Sequence, residues 1–431
     1  MTLDSDRDLR AARHEGGDTS PPRGLETRLA LAGLAAWVAF FAPTQVLLAV
    51  AAERMYPADK ELFFGLISAA GSVVMLLAYP IVGALSDRCL PTVARRTVSM
   101  IGVAVAVGCL VMAGQADSGL ELVFWWCATQ TGIAAIQCGV EASVADEIPT
   151  RHRARIGGKL AAAQMFAALL GTVVASVSTD LSISYLVVAG VVTMLAAPFI
   201  AVSFIAAPTA RDPAPALAHP TAPPIRVGRS SSTSELWLGW TSRTLVLFGL
   251  GNITQFLYFF VHDELARPEP ASALILLTGL FVVSVVLSAL ICGTISDRIA
   301  DRTGPAVIGS AVAGVAASTF GFVDSWPLIL CAAAVLGAGL GAFMGPAFAL
   351  LTELLPDPKH YGRDLGLLNT AVVAPSALAP IVGVAMLRLE HGFTVLYTVA
   401  GTSLLLGSVT MYVLRLRTRD SREHTVAVNP L

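Results

Sequence analysis

The chain has 431 residues, 55% of them hydrophobic and only 13% charged, with a mean hydropathy of +0.71. So few charges cannot cover the surface of a soluble globule of this length, and the composition points to a lipid bilayer. The net charge of −2 offers no basic field for nucleic acid, and no nucleic-acid partner is expected.

Residues 1–28 mix acids, Arg, Gly and Pro without the apolar core of a signal peptide, and read as a disordered cytoplasmic tail. Six apolar runs follow, at 29–52, 62–86, 97–114, 120–143, 158–179 and 183–206, each close to the roughly 20 residues that span a membrane as helix. A Pro- and Ser-rich stretch at 208–242, with Pro208, Pro213, Pro215, Pro220, Pro223 and Pro224, reads as a cytoplasmic linker. Six further runs lie at 244–262, 272–296, 305–323, 327–352, 365–388 and 393–414, before a basic tail at 415–431. The expected architecture is an all-α membrane protein of twelve transmembrane helices, in six-helix bundles at 29–207 and 243–414. The tails, the linker and the loops on their side carry 24 of the 28 Arg and Lys, and only Arg54, Lys60, Arg267 and Arg388 fall on the other. By the positive-inside rule both termini are cytoplasmic, in a multi-pass protein of the cell membrane.

The six cysteines, Cys89, Cys109, Cys127, Cys138, Cys292 and Cys331, show no CxxC and no neighbouring His, so neither disulfides nor zinc is expected. The seven histidines lie in tails, loops or span ends, no catalytic constellation or phosphate-cradling loop is visible, and no cofactor or metal is expected.

Two internal echoes mark a duplication. Gly83-Ala-Leu-Ser-Asp87-Arg88, followed by Arg95-Arg96, returns as Gly293-Thr-Ile-Ser-Asp297-Arg298, an offset of 297 − 87 = 210. Asp146-Glu147-Ile148-Pro149 before Arg155 returns as Glu353-Leu354-Leu355-Pro356 before Arg363, an offset of 356 − 149 = 207. In each second motif Pro ends one helix and the Arg opens the next. The paired Gly-x-x-Ser-Asp-Arg loops resemble the loops after the second and eighth spans of the major facilitator superfamily. The three extra residues before Arg95-Arg96, and the Gly362-Arg-Asp-Leu-Gly-Leu-Leu-Asn369 passage with Pro375 and Pro380, are similar to its sugar–cation symporter and sucrose-carrier branches. The resemblance implies two bundles rocking about a midplane cavity lined by the first, fourth, seventh and tenth spans. It also implies a cytoplasmic gate of Asp87, Arg88, Arg95, Arg96, Asp146, Arg155, Asp297, Arg298, Glu353 and Arg363. The alternative is that these charges are solvated stop signals.

Polar residues inside spans are the candidate site, because each is costly in hydrocarbon unless it faces a cavity or a partner. In the fourth span Gln130, Ala134, Gln137 and Glu141 share one helical face. The amides can hydrogen-bond a neutral solute or another helix. Glu141 can carry a coupling proton or snorkel to the surface. Asn252, Gln255 and Tyr258 in the seventh span, with Trp37 and Gln45 in the first, can form a platform for a sugar ring or serve as packing residues. Gln164 and Asn369 are secondary candidates, while Glu53 and His262-Asp263-Glu264 mark outer ends where solvated charge is the default. The functional expectation is a monomeric secondary transporter of a small solute, coupled to a proton or sodium ion, with a neutral sugar-like solute favoured. Proton-coupled efflux of a drug or secondary metabolite is the alternative, although the fifth span lacks the Gly-Pro motif of many such antiporters. A membrane sensor that has lost transport stands further off.

Overall fold

A computed structural model of the chain describes residues 24–88, 93–148, 150–205, 233–299, 301–353 and 361–428. All regular structure among them is helical, in twelve segments. The first six are α1 (Leu25–Met55), α2 (Lys60–Arg88), α3 (Val93–Ala113), α4 (Gly119–Glu147), α5 (Thr150–Ala175) and α6 (Leu181–Ile205). After them come α7 (233–264), α8 (Pro270–Ile299), α9 (Thr303–Thr319), α10 (Trp326–Glu353), α11 (Tyr361–Leu387) and α12 (Gly392–Val428). Among the described residues, seven of these are long and apolar enough to cross a membrane by length and composition, and an eighth if the bent α7 is taken as one span.

Helix ends depart from the apolar runs where a turn is amphipathic. Helix α7 begins at Thr233, inside the stretch expected as linker to 242, because Glu235 can sit in its first turn while Leu236 and Trp240 pack inward. Helix α12 runs on to Val428, past the expected limit of 414, since the Arg-rich segment after Leu414 contains no Gly or Pro to stop it. At the other end, α1 begins at Leu25, just inside the expected tail.

The contacts repeat with the sequence. Helix α1 packs on α5 and α6 as α7 packs on α11 and α12, and α3 packs on α4 and α6 as α9 packs on α10 and α12. The bundles meet through α2 against α11 and α5 against α8, one pair being the repeat of the other. A methyl group at Gly102 would lie 2.8 Å from the Gly132 carbonyl oxygen, and one at Gly309 would lie 2.5 Å from that of Gly339. The α3–α4 and α9–α10 crossings are therefore backbone-to-backbone, at an offset of 309 − 102 = 207. Close approach matters because lipid tails are as apolar as Leu, so burial alone does not drive helices together. Hydroxyls add interhelical bonds. Ser242 donates to the Gly407 carbonyl at 2.7 Å, Ser403 to Leu245 at 2.8 Å and Ser408 to Val307 at 2.8 Å. Such bonds contribute about 0.6 kcal/mol each in a membrane.

Two helices are interrupted. Pro43 lacks the N–H that would continue the ladder, and α1 widens into a π turn over Pro43–Leu47. Helix α7 bends by 44° after Gln255 and ends in a π turn over Phe260–Glu264.

Candidate functional site

At the end of the bundles where α1 turns into α2, the two halves are clamped by charge. The Lys60 ammonium donates to Asp263 of α7 at 2.7 Å and to Glu53 of α1 at 3.2 Å. His262 Nδ1 lies 2.8 Å from Asp263 and 3.4 Å from Glu53, and Tyr258 Oη donates to Glu53 at 3.5 Å while its ring stacks on His262. Glu53 and Asp263 are repeat equivalents, at 263 − 53 = 210. Both carboxylates share one lysine. Imidazole nitrogen and carboxylate oxygens of Glu53, His262 and Asp263 lie within 4.8 Å of one another, a spacing open to a metal ion, but the Lys60 ammonium holds the place a cation would take.

Beneath the charges the seal is aromatic. Phe64 of α2 meets Phe256 and Phe259 of α7 edge-on at 5.6 and 5.3 Å, and Lys60 stands 5.7 Å from the Phe259 ring centre. Gly65 lets α2 reach α11: an added Cβ would sit 2.1 Å from Val384 Cγ2 and 3.1 Å from the Pro380 carbonyl oxygen. At the opposite end, Gly83, Gly157, Gly158, Gly293 and Gly345 have open space where a side chain would point. There, Asp301 binds within its own bundle. Its carboxylate accepts from Thr303 N and Gly304 N at 3.1 and 3.0 Å and from Arg415 at 2.6 Å, so it holds the start of α9 to α12. Burial alone would push the Asp301 carboxyl up, but the hydrogen bond from the Thr303 hydroxyl at 2.8 Å, with the Gly304 amide, the Arg415 charge and the Thr303 amide, outweighs it and holds it below the usual carboxylate range.

Between the clamp and the opposite end lies a cavity of about 110 Å³ to which both bundles contribute. Helix α1 supplies Phe41 and Gln45, and α5 supplies Met165 and Ala168. From the other bundle come Thr254 of α7, Thr278 and Phe281 of α8, and Leu336 and Met344 of α10. Of its lining residues only Gln45, Thr254 and Thr278 are polar. Gln45 sits in the π turn of α1, and Thr172 of α5 holds one end of its carboxamide by hydrogen bond. The sequence Thr44-Gln45 recurs as Thr254-Gln255, and both threonines donate to the carbonyl four residues back, Phe40 at 2.8 Å and Leu250 at 3.0 Å.

Of the polar residues expected from sequence, Gln45 is the one that lines this cavity. Trp37 stacks on Phe41 next to it, ring centres 5.7 Å apart. Gln130, Gln137 and Asn252 are buried within their bundles, at 1%, 6% and 1% exposure. Gln130 Oε1, Gln137 Nε2, Asn252 Oδ1 and Gln255 Oε1 have no hydrogen-bond partner among the described residues. Tyr258 belongs to the clamp. Glu141 is exposed on α4 and accepts from Tyr79 Oη of α2 at 2.9 Å. Among the gate candidates, Arg298 is exposed near the end of α8. The side chains of Asp87, Arg88, Arg95, Arg96, Asp146, Arg155, Asp297, Glu353 and Arg363, and that of Asn369, lie outside the described residues. Sequence reasoning missed Lys60, Glu53, His262 and Asp263 as a unit. The signal available was the 210-residue offset between Glu53 and Asp263, the same as between the twin Asp-Arg loops.

Residues 269–430 match the family model of the Major Facilitator Superfamily. Among solved structures, the chain is similar to the nucleoside transporter NupG, with a TM-score of 0.67 and 12% identity over 90% of this chain and 99% of that one. It is also similar to a bacterial homolog of the human lysosomal transporter Spinster in an inward-facing and occupied conformation, with a TM-score of 0.64 and 14% identity over 91% of this chain and 96% of that one. No curated protein sequence matches. The chain has the major facilitator fold, two six-helix bundles related by an internal repeat, and the segment from α8 to α12 matches that superfamily's family model in sequence as well.

Proposed function

We propose that the protein is a secondary transporter that carries a small solute across the cell membrane by alternating access. The observation behind this reading is the cavity shared by two repeat-related bundles, clamped at one end by Glu53, Lys60 and Asp263. A site lined by both bundles exchanges sides when they rock. The Arg and Lys distribution puts both termini in the cytoplasm and the clamp at the outer end, so the conformation is closed on the outer side. The likeness to a bacterial Spinster homolog described as inward-facing agrees with that assignment.

Coupling to a proton or sodium ion rests on Glu141, a carboxylate on α4 pinned by Tyr79. One symported cation is worth about 2.3 kcal/mol per 100 mV of membrane potential. Two solute classes follow from the sequence. A neutral hydroxylated solute such as a sugar would use the amides of α4 and α7 and suits the symporter-like loops. An exported drug or secondary metabolite would use the apolar cavity, and the burial of Gln130, Gln137 and Asn252 away from it favours this second class. The test is reconstitution of the full chain in liposomes, with solute flux followed under imposed proton, sodium and voltage gradients for a panel of sugars and of apolar compounds. Transport is expected for members of one class. A panel in which no compound crosses faster than in empty liposomes overturns the reading.

A further inference from the structure

We infer that the cavity between α1, α5, α7, α8 and α10 binds a compact, mainly apolar solute of single-ring size carrying one or two hydrogen-bonding groups, and does not bind a sugar. The inference rests on the transport reading and deepens it by naming the solute class.

Size comes first. The cavity measures about 110 Å³ in this conformation. An apolar cavity of about 150 Å³ in an unrelated protein takes up benzene, so one ring is the scale of the solute here. Chemistry comes second. The walls are Leu, Ile, Val, Phe, Met and Ala apart from Gln45, Thr254 and Thr278. The Thr254 hydroxyl already donates to Leu250 O, and one end of the Gln45 amide is held by Thr172. What remains for a ligand is one end of an amide and two threonine oxygens, enough for one or two polar groups. A hexose brings about five hydroxyls, and each one left unpaired in a dry site weakens binding about five- to 150-fold. The Gln and Asn side chains that could have served them, Gln130, Gln137 and Asn252, are not among the lining residues. Placement comes third. Gln45 lies in the π turn forced by Pro43, and Thr254 lies one residue before the end of the straight part of α7, so both polar contacts sit where their helices are interrupted. A π turn such as the one that holds Gln45 occurs often at functional sites, and rocking of the bundles about these breaks would move both contacts together.

The experiment uses the full chain in lipid nanodiscs and saturation-transfer difference NMR, which detects weak ligands. The probes are benzyl alcohol, toluene and methyl glucoside. Ala168→Leu narrows the cavity from the first bundle and Ala333→Leu from the second, so loss of one variant to misfolding leaves the other. Benzyl alcohol is expected to give ring-proton saturation at least about threefold stronger with the native chain than with either variant, above its background from lipid. Thr278→Val, which keeps shape and removes the hydroxyl, should lower the benzyl alcohol signal and leave that of toluene. Methyl glucoside should give no signal that the narrowing variants change. A benzyl alcohol signal equal in native and narrowed proteins overturns the inference, and so does a glucoside signal that the narrowing removes. Liposome flux is read separately: flux of a sugar with no ring-probe binding overturns the solute class and leaves transport standing, whereas ring-probe binding without flux overturns transport alone.

Discussion

Lys60→Gln is the sharpest perturbation of the clamp. Lys60 is the one lysine between Glu53 and Asp263 among the described residues, 85% covered at its side chain, and its contact with Asp263 at 2.7 Å joins one bundle to the other. A charge-assisted hydrogen bond between partly covered groups contributes about 1.5–3 kcal/mol. Asp263 keeps His262 at 2.8 Å and is 28% exposed, so solvent screening places the loss near the lower end. At about 1.4 kcal/mol per decade, the clamped population should fall roughly tenfold relative to the open one. Spin labels at Ala58→Cys and Pro268→Cys, both exposed beside the clamp, report the separation by double electron–electron resonance in a background without native cysteines. The native chain should show one short distance, and Lys60→Gln should add a longer one. Asp263→Asn should do the same, and the double variant should add little beyond either single change, because both remove one pair. Identical distance distributions in native chain and Lys60→Gln would refute the clamp.

Four further outcomes follow from named contacts. Gly65→Ala forces a methyl group to within 2.1 Å of Val384 Cγ2, so the same pair of labels should separate by steric wedging, and an unchanged distance counts against the α2–α11 seal. Glu141→Gln keeps the hydrogen bond from Tyr79 but removes the titratable group, so solute exchange should persist while accumulation against a gradient is lost; normal accumulation removes Glu141 from coupling. Because the Asp301 carboxyl is held below its unfolded value, its stabilisation is present above about pH 4 and is lost as pH falls through the folded value. Thermal unfolding of Asp301→Asn should therefore fall short of the native chain at neutral pH and converge with it in acid, and a constant gap across that range contradicts the assignment. Gln130→Leu deletes an acceptor that has no partner among the described residues, so stability should change by less than about 1 kcal/mol, and a larger loss in unfolding measurements shows that the amide is satisfied by another group.

The helices and their division into two bundles were legible because bilayer thickness imposes long apolar runs, and the repeated loops fixed the pairing of halves. Helix ends were less legible. At Thr233 and beyond Leu414 the helix continues through residues that mix charge with apolar side chains, a pattern hydropathy alone discards. The cavity was hidden for a different reason: Leu336, Phe281 and Met344 are the same residue types that face lipid, and only the packing of helices says which way they point. Gln130 and Gln137 drew attention as rare polar residues on one face, yet a polar face inside a bundle can meet neighbouring helices as readily as a cavity. The clamp went unseen because Lys60 and Asp263 lie 203 residues apart, and each alone reads as a charge at a span end.

The internal duplication left the clamp unequal. Glu53 and Asp263 descend to matching positions, but the counterpart of Lys60, at 270 − 60 = 210, is Pro270. Two acids inherited one lysine. When the halves part, Lys60 stays with Glu53 on its own bundle as a neutral couple, and Asp263 departs with His262 alone. The electrostatic work of opening is therefore borne by one repeat, and a mobile cation would find its vacancy there. Ionic strength thus becomes a control on this contact, with salt easing the separation of a pair that the fold itself cannot balance on both sides.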